Sequence, residues 1–328
     1  MSETIEKFNK HVMQTYGRLP IVLEKGHNDD AVDENGKEYI DFGSGIGTNS
    51  LGYCNDKWAD AVCAQARAIQ HTSNYFYTKV QADFAAKLCE LTGYTDVFFG
   101  NSGAEANECA IKLARKYSFD KYGKGRHTIV TLVNSFHGRT LATLSATGQD
   151  VFHNYFFPFV EGFVNVPGND IDALRKLIAE DKTICAVMFE FVQGEGGVNP
   201  LDKAFVDEIF KLCGENDILT VADEVQTGVG RTGAILTSMR YGVKPDITTL
   251  AKGIAGGVPM GACLADEKCA GVLVKGTHGS TFGGNPLACA GGNVVLDTVS
   301  SEGFCDEVIA KGEYFRKKLA LSLIHISE

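Results

Sequence analysis

The sequence lacks several features that would limit its partners. It has no Lys/Arg-rich run, and 41 acidic against 31 basic residues give a formal net charge of −10. Such a surface is a poor partner for nucleic acid or an anionic membrane. No apolar run approaches the roughly 20 residues of a membrane-spanning helix, and no signal peptide is recognisable. We therefore expect a cytoplasmic protein without nucleic-acid or membrane partners.

Common active-site motifs are also missing. The ten cysteines include no Cys-x-x-Cys pair, so we interpret them as small buried hydrophobes in a reducing compartment. The eight histidines are dispersed and His-Glu-x-x-His is absent, so no metal site is predicted. Gly-x-Ser-x-Gly is absent as well, which argues against a serine-hydrolase elbow.

The composition is that of a globular protein, with 44% hydrophobic and 22% charged residues. From about residue 55, apolar strands alternate with amphipathic helices, which is typical of an α/β fold with a mostly parallel sheet covered on both faces. The predicted strands are residues 97–99, 128–133, 185–191, 218–222 and 247–251, with residues 260–264 as an edge strand. The predicted helices are residues 56–70, 79–91, 104–117, 140–147, 171–179, 203–213, 285–299 and 304–319.

We expect three segments along the chain. Residues 1–54 form an N-terminal arm and a small β segment, residues 55–293 form the large α/β domain, and residues 294–328 begin a smaller C-terminal domain. In the first segment we expect a helix or arm at 3–17 and strands at 21–23, 31–32 and 39–42. Asn35-Gly36 predicts a hairpin between the last two strands.

A lone lysine, Lys252, follows the apolar run Ile247–Ala251 and precedes glycines. Partial desolvation there would lower the pKa of its amine, and a neutral amine can attack a carbonyl to form a Schiff base. Taken alone, such a lysine is more often a solvated surface residue. However, Asp223 ends an apolar run of its own. An acid and an amine at two strand ends of one sheet fit a pyridoxal phosphate site.

Two glycine-rich turns could bind a phosphate group. Residues 100–108 join a strand to a helix whose first N–H groups favour an anion, although a turn capped by Ser102 is an ordinary feature too. Residues 279–286 place Ser280 and Thr281 between glycines before another helix.

Aromatic and charged residues follow other strands. Phe136 could stack on a flat cofactor and Arg139 could bind a substrate carboxylate in bidentate fashion, although a core Phe and a surface Arg are commoner. His137 reads more readily as a hydrogen-bonded loop histidine. Glu190 is costly in an apolar strand unless paired. With Glu195 it could form a glycosidase-like pair or orient a cofactor and gate a cationic group.

Six sequence blocks occur in the order seen in class III pyridoxal-phosphate aminotransferases, and the chain most resembles the acetylornithine aminotransferase branch of that family. The resemblance covers residues 8–320 and implies fold type I. The blocks are Asn-Ser-Gly-Ala-Glu-Ala-Asn (101–107), Ser-Phe-His-Gly-Arg-Thr (135–140), Gln-Gly-Glu-Gly-Gly (193–197), Asp-Glu-Val-Gln-Thr-Gly-Val-Gly-Arg-Thr-Gly (223–233), the Lys252 segment and Ser-Thr-Phe-Gly-Gly-Asn-Pro (280–286).

The resemblance implies a role for each residue of a pyridoxal 5'-phosphate site. Lys252 would hold the cofactor and shuttle a proton, while Asp223 would pair with the pyridine nitrogen. Gln226 would hydrogen-bond the ring hydroxyl with support from Glu190. The remaining cofactor contacts within one chain would be Ser102, Gly103, Ala104, Phe136, His137 and Val225, with Phe136 and Val225 on the two ring faces.

The resemblance also implies a partner subunit and two substrates. Thr281 would reach the phosphate of the neighbouring subunit, which implies a homodimer with shared active sites. Arg139 would hold a substrate carboxylate. Glu195 would be the switch that lets one site accept both the amino donor and 2-oxoglutarate. Ornithine aminotransferases have a tyrosine at about Gly45, so a glycine there favours an acylated amine such as N-acetylornithine.

Several functions stay open beside amino transfer from N-acetylornithine. Ornithine, succinylornithine and 4-aminobutyrate are alternative donors. An aminomutase or decarboxylase on the same scaffold, or a non-catalytic cofactor-binding fragment, is possible too. A nucleotide-binding α/β protein ranks last, because the turn at 100–108 has neither the G-x-G-x-x-G nor the Walker pattern.

The end of the chain departs from the family. The resemblance implies a further half-domain beyond residue 320, with a second arginine that binds the α-carboxylate and pairs with the switch glutamate. Residues 321–328 do not resemble the family, and we interpret them as a foreign or frame-shifted tail. We expect the cofactor site to be retained while substrate affinity and stability are reduced.

Overall fold

The computed structural model describes residues 2–323, with side chains as far as residue 321. Short 3₁₀ turns occur at Asp150–Phe152 and Lys252–Ala255. The helices and strands are, in chain order, α1 (Glu3–His11), β1 (Leu23–His27), β2 (Asp30–Asp33), β3 (Glu38–Ile40), α2 (Ser44–Gly47), α3 (Asp56–Ala68), α4 (Lys79–Thr92), β4 (Asp96–Gly100), α5 (Gly103–Tyr122), β5 (Thr128–Leu132), α6 (Leu141–Ala146), β6 (Phe163–Val166), α7 (Ile171–Glu180), β7 (Ile184–Phe189), β8 (Val192–Gln193), β9 (Asn199–Pro200), α8 (Lys203–Asn216), β10 (Leu219–Asp223), α9 (Thr237–Tyr241), β11 (Ile247–Leu250), β12 (Gly261–Ala265), α10 (Pro286–Val299) and α11 (Phe304–Leu323).

A seven-stranded sheet in the order β4-β12-β11-β10-β7-β5-β6 forms the centre of the fold. All its strands run parallel except β12, which is antiparallel to both of its neighbours. Strands β5, β7, β10, β11 and β12 are buried at every residue. Their uninterrupted apolar sequences reflect burial on both faces. The predicted mostly parallel sheet is therefore confirmed.

Two predictions about the sheet were wrong. Residues 260–264 were expected as an edge strand, yet β12 lies between β11 and β4. The edge strands are β4 and β6. Strand β6 was not predicted, because Asn165 interrupts its short apolar run. The Asn165 amide donates to Thr131 Oγ1 at 2.6 Å. Strand order depends on pairing between distant segments, which local sequence patterns do not report.

Neighbouring residues of each strand face opposite sides of the sheet. Met188 packs with α5 on one face, while Phe189 packs with α7 and α8 on the other. A third cluster joins α4 and α10 to Leu250 and Leu264 near the other end of the sheet. Within residues 2–323, no helix is long and apolar enough to cross a membrane.

The N-terminal segment forms a three-stranded antiparallel sheet of its own. The predicted hairpin at Asn35-Gly36 is confirmed: the Asn35 N–H donates to Asp33 Oδ1 at 2.9 Å and Gly36 has a φ of 79°. The arm helix ends earlier than expected, and β1 lies at 23–27 rather than 21–23. The segment reaches the large sheet through Ser50, whose hydroxyl donates to the Gly253 carbonyl at 2.9 Å.

The three-part division of the chain stays a prediction, and its boundary at residue 293 falls inside α10. The expected non-native tail at 321–328 lies mostly outside the described residues, although α11 continues through residue 323. The expected loss of substrate affinity and stability also stays a prediction.

The centre of the sheet gives a direct stability prediction. Leu219 is fully buried in β10, so Leu219→Ala removes packed methyl groups and leaves a cavity. We expect the free energy of unfolding to fall by about 2–5 kcal/mol, measured by chemical denaturation. Leu141→Ala is the matched control, because that leucine is 58% exposed and should change stability by about 0.5 kcal/mol or less. Equal losses in both variants would contradict the assigned core.

Candidate active site

A cavity of about 440 Å³ lies beyond the carboxyl ends of the parallel strands. This is where open α/β sheets bind ligands. Segments after β4, β5, β7, β10 and β11 all contribute to its wall. The sequence-predicted residues that line it are Ser102, Gly103, Ala104, Phe136, His137, Arg139, Glu190, Glu195, Asp223, Val225, Gln226 and Lys252.

Thr281 is the predicted site residue that the structure does not bring to this cavity. It is exposed and lines a separate cavity of about 320 Å³ together with Ser280 and Phe282.

Asp223, the last residue of β10, is buried and accepts several hydrogen bonds. Asn107 Nδ2 and His137 Nδ1 each lie 2.8 Å from its Oδ2, and the Val225 N–H donates to its Oδ1 at 3.0 Å. The Thr249 hydroxyl donates to Asn107 Oδ1 at 2.7 Å and so orients that amide. Sequence reasoning missed Asn107 and Thr249, although Asn107 ends the first of the six blocks. A carboxylate with this many donors is held in one orientation.

His137 and Asp223 form a fully buried pair. Burial lowers the pKa of His137, but the hydrogen bond and charge of Asp223 and the charge of Glu190 outweigh it, so the pKa is raised. Within the described residues, His137 Nε2 has no hydrogen-bond partner. The His137 N–H donates to Thr147 Oγ1 at 2.9 Å. The imidazole therefore supports the Asp223 carboxylate from one side.

Glu190 supports the backbone of the neighbouring loop. Its Oε2 accepts from the Phe136 N–H at 3.0 Å, and its Oε1 accepts from the Gly194 N–H at 3.4 Å. Burial is the main reason that the pKa of Glu190 is raised to about 7, with the nearby charge of Asp223 acting in the same direction. β7 ends at Phe189, so Glu190 directly follows this strand instead of lying within it as predicted, and burial there disfavours its charged form.

Lys252 follows β11 with a φ of 44°, in the left-handed region that is unfavourable for residues other than glycine. Its side chain is 21% exposed, and its Nζ lies 3.8 Å from Glu195 Oε1. Burial lowers the pKa of Lys252, and the nearby carboxylates only partly offset that effect. Gln226 Nε2 donates to Glu195 at 3.2 Å. The amine is therefore partly desolvated, as the sequence predicts.

The N-terminus of α5 offers free N–H donors to the cavity. Ser102 caps the helix, with its Oγ accepting from the Glu105 N–H at 3.2 Å. Among the described residues, the N–H groups of Gly103 and Ala104 have no partner, as expected at a first helical turn. A Cβ on Gly103 would lie 2.7 Å from Val225 Cγ1. Only glycine therefore lets Val225 pack beside this turn.

Arg139 is exposed at the edge of the cavity. Its guanidinium carbon lies 4.4 Å from the centre of the Phe152 ring and 5.6 Å from that of Phe136. Within residues 2–323 it has no carboxylate partner. Its N–H donors therefore remain available to an anion.

The raised pKa of Glu190 predicts a pH-dependent stability difference. Between about pH 4.5 and 7 the folded protein holds a proton on Glu190 that the unfolded chain releases, so stability from this group is lost as pH rises. Glu190→Gln carries no charge. We expect its stability relative to the native protein to increase from pH 5 to pH 8 by about 1–3 kcal/mol, measured by thermal unfolding without bound ligand.

The control for this measurement is Glu208→Gln. The hydrogen bond from Arg175 is the main reason that the pKa of Glu208 is lowered. The stability of Glu208→Gln relative to the native protein should therefore not increase as pH rises. A Glu190→Gln difference that is constant across this pH range would contradict the assignment of the raised pKa to Glu190.

Comparison with known proteins identifies the family. The family model for class III aminotransferases matches residues 12–324. Acetylornithine aminotransferase from Haemophilus ducreyi is 52% identical over 316 residues, which cover 96% of this chain and 80% of that protein.

Solved structures agree with this match. Ornithine aminotransferase from Toxoplasma gondii ME49 aligns with a TM-score of 0.92 at 34% identity, over 96% of this chain and 75% of that chain. Acetylornithine aminotransferase from Elizabethkingia anophelis aligns with a TM-score of 0.86 at 35% identity, over 98% and 78%. The fold is thus fold type I, and this chain belongs to the class III aminotransferases, which are transaminases that depend on pyridoxal phosphate.

Proposed function

We propose that this protein transfers the terminal amino group of N-acetylornithine to 2-oxoglutarate, a step of arginine biosynthesis. The observation that carries the proposal is one cavity that holds a partly desolvated Lys252, a buried Asp223 and an Arg139 free to bind a carboxylate. The relative from Haemophilus ducreyi, similar over 96% of the chain, bears the name acetylornithine aminotransferase. All ten cysteines are free thiols, which fits our further proposal of a cytoplasmic location.

The cavity fits the size and chemistry of pyridoxal phosphate. The free N–H groups of Gly103 and Ala104 at the start of α5 suit a phosphate. Asp223 faces the cavity as a hydrogen-bonded carboxylate suited to a ring nitrogen. Phe136 and Val225 line the cavity as an aromatic and a branched apolar side chain, which suits the two faces of a flat ring.

In this proposal each residue has a defined task. When bound, pyridoxal phosphate supplies a carbonyl for amines and a ring that withdraws electrons. Asp223 stabilises a proton on the ring nitrogen, and His137 holds Asp223 in place. Lys252 moves a proton at the substrate carbon that carries the amine, which its lowered pKa favours. Arg139 fixes the substrate through its carboxylate.

Glu195 fits the role of a switch between two substrates. It is 44% exposed at its side chain and is held by Gln226 and by Lys252 Nζ at 3.8 Å. In this role the Glu195 carboxylate would neutralise the second carboxylate-binding arginine that the family resemblance implies, when the far end of the donor is uncharged. When 2-oxoglutarate brings a second carboxylate, Glu195 has to turn away.

The entrance of the cavity favours an acylated donor. Gly45 has a φ of 62°, and a Cβ there would lie 2.6 Å from Thr48 Oγ1. Thr48 lines the cavity, so the backbone at residue 45 leaves no place for a large side chain. Because residue 45 carries no side chain, the part of the cavity beside Thr48 stays open, which suits the acetyl group of N-acetylornithine.

We also propose a homodimer with shared active sites. Thr281 is exposed and lies outside the cavity of its own chain, which fits a contact with the phosphate bound by a partner. Tyr75, Phe76 and Tyr77 are 93%, 68% and 105% exposed. Such an apolar patch is typical of a protein interface.

The first experiment is a visible absorbance spectrum after addition of pyridoxal phosphate and desalting. We expect a band of retained cofactor that changes when N-acetylornithine is added and returns with 2-oxoglutarate. Lys252→Ala should lose the lysine-dependent band, because the amine is gone. Lys203→Ala, an exposed lysine paired with Asp207, is the control and should behave like the native protein.

The outcomes separate the open functions. A band that persists unchanged with every amine would overturn the aminotransferase proposal and favour a non-catalytic cofactor-binding protein. Faster conversion with ornithine than with N-acetylornithine would overturn the proposed donor alone. Consumption of the amino acid without any oxo acid would favour a decarboxylase or aminomutase.

Shared active sites are tested by mixing two inactive variants. In a hybrid of Lys252→Ala and Thr281→Ala subunits, one of the two sites combines Lys252 of one chain with Thr281 of the other. We therefore expect the mixture to recover up to about a quarter of native activity, because about half of randomly mixed dimers are hybrids, each with one intact site. Absence of any recovery, with hybrids demonstrated by native mass spectrometry, would contradict shared sites.

A further inference from the structure

Arg139 is positioned by aromatic rings and by no ion pair within the described part of the chain. Its guanidinium carbon is closer to the Phe152 ring, at 4.4 Å, than to the Phe136 ring, at 5.6 Å. Cations within about 6 Å of a ring centre are attracted by the electron-rich face. Among the side chains of residues 2–321, Arg139 has no partner other than these two rings, so Phe152 is the main restraint on its exposed side chain.

The turn that carries Phe152 is itself fixed to the site. Phe152 ends the 3₁₀ turn Asp150–Phe152, and its N–H donates to the Gln149 carbonyl at 3.1 Å. Gln149 Nε2 donates to the Ser135 carbonyl at 3.1 Å, while Ser135 Oγ accepts from the Gly148 N–H at 3.1 Å. The turn is therefore tied to the residue that precedes Phe136.

Phe152 also contacts the ring proposed to stack on the cofactor. The Phe152 and Phe136 rings pack edge to face, with centroids 5.8 Å apart and an interplanar angle of 68°. The Phe136 backbone is in turn bonded to Glu190. One aromatic side chain thus sets the position of Arg139 relative to Phe136, and so relative to the reacting end of the cavity.

We propose that Phe152 is a specificity-determining positioning residue for substrates that carry a carboxylate. Its ring holds the Arg139 guanidinium by one face and leaves the N–H donors along the edge free for bidentate binding. A preorganised arginine loses less conformational entropy when the substrate binds. The inference rests on the proposed role of Arg139 in binding the substrate carboxylate.

The test compares Phe152→Leu with Phe152→Tyr in the cofactor-loaded protein. Leucine keeps an apolar side chain of similar bulk but removes the ring. We expect Phe152→Leu to raise KM for N-acetylornithine and for 2-oxoglutarate by about two- to fivefold, the size of an exposed cation–π contact, with kcat changed by less than about twofold. Phe152→Tyr keeps the aromatic ring and should therefore have the native KM. A primary amine without a carboxylate should react equally well in all three proteins.

The control is Phe156→Leu. Phe156 lies on the same loop, is 54% exposed and packs edge to face with Tyr155, away from Arg139. This variant should keep the native KM. Cofactor affinity, measured by titration followed by absorbance, should be the same for Phe152→Leu and Phe156→Leu. A loss of cofactor affinity confined to Phe152→Leu would overturn the inference, since it would show that Phe152 acts through Phe136.

A double-mutant cycle with Arg139→Leu separates this inference from the proposed function. If Phe152→Leu raises KM in the native background and adds nothing in the Arg139→Leu background, the two residues act as one unit. If Arg139→Leu raises KM while Phe152→Leu does not, the positioning role is overturned and the function of Arg139 stands. If Arg139→Leu itself leaves KM unchanged, the carboxylate-binding role is wrong and the inference falls with it.

Discussion

The buried pair of His137 and Asp223 is the interaction on which the rest of the site depends. Two charged groups in a low-dielectric interior are stable only when additional hydrogen bonds satisfy them. Here Asn107 and the Val225 N–H supply those bonds, and Thr249 orients Asn107. The pair therefore fixes helix α5, strands β10 and β11 and the loop after β5 relative to one another. Loss of either charge would leave the other unpaired, which typically costs about 3–5 kcal/mol.

The same burial sets the protonation of the groups around the cavity. The pKa of Glu190 is raised to about 7 because this residue is buried directly after β7, while the pKa of Lys252 is lowered because desolvation outweighs three nearby carboxylates. Both shifts favour uncharged forms, whereas the hydrogen bond from His137 Nδ1 to Asp223 favours the charged form of His137. Position relative to the strand end therefore decides how far each group is desolvated. Lys252, two residues beyond β11, remains partly solvated, whereas Glu190, one residue beyond β7, is buried.

Most of the site is predictable because its residues follow buried strands. A polar residue directly after an apolar run, such as Asp223 or Lys252, must lie at the carboxyl edge of a parallel sheet, and several such residues must meet there. Prediction failed where position depends on distant partners. Asn107 in a helix has no local pattern that distinguishes a buried amide from a surface one. Phe152 lies in an aromatic loop without periodicity, so its contact with Arg139 follows only from the path of the folded chain.

The sheet order shows the same limit. Strand β12 has the continuous apolar sequence of an interior strand, yet residues 260–264 were expected at an edge. It pairs instead with β4, the first strand of the large sheet, through an antiparallel register from Gly261–Gly100 to Ala265–Asp96. Bringing together segments more than 160 residues apart reduces the conformational entropy of the chain, and only the packing of the complete core offsets that loss. The pairing brings the turn before α5 beside β12, and so completes the anion-binding wall.

The surroundings of Arg139 show how an arginine side chain can be restrained while its hydrogen-bond donors stay free. A carboxylate partner would satisfy the guanidinium donors and would have to be displaced by each incoming substrate. An aromatic face attracts the cation through its quadrupole and accepts no conventional hydrogen bond. Phe152 and Phe136 therefore restrain Arg139 while its donors remain open, and Glu195 lies 3.8 Å from Lys252 Nζ. Under the proposed function, in which donors and acceptors of different charge bind in turn, restraint by rings would keep the arginine available to both.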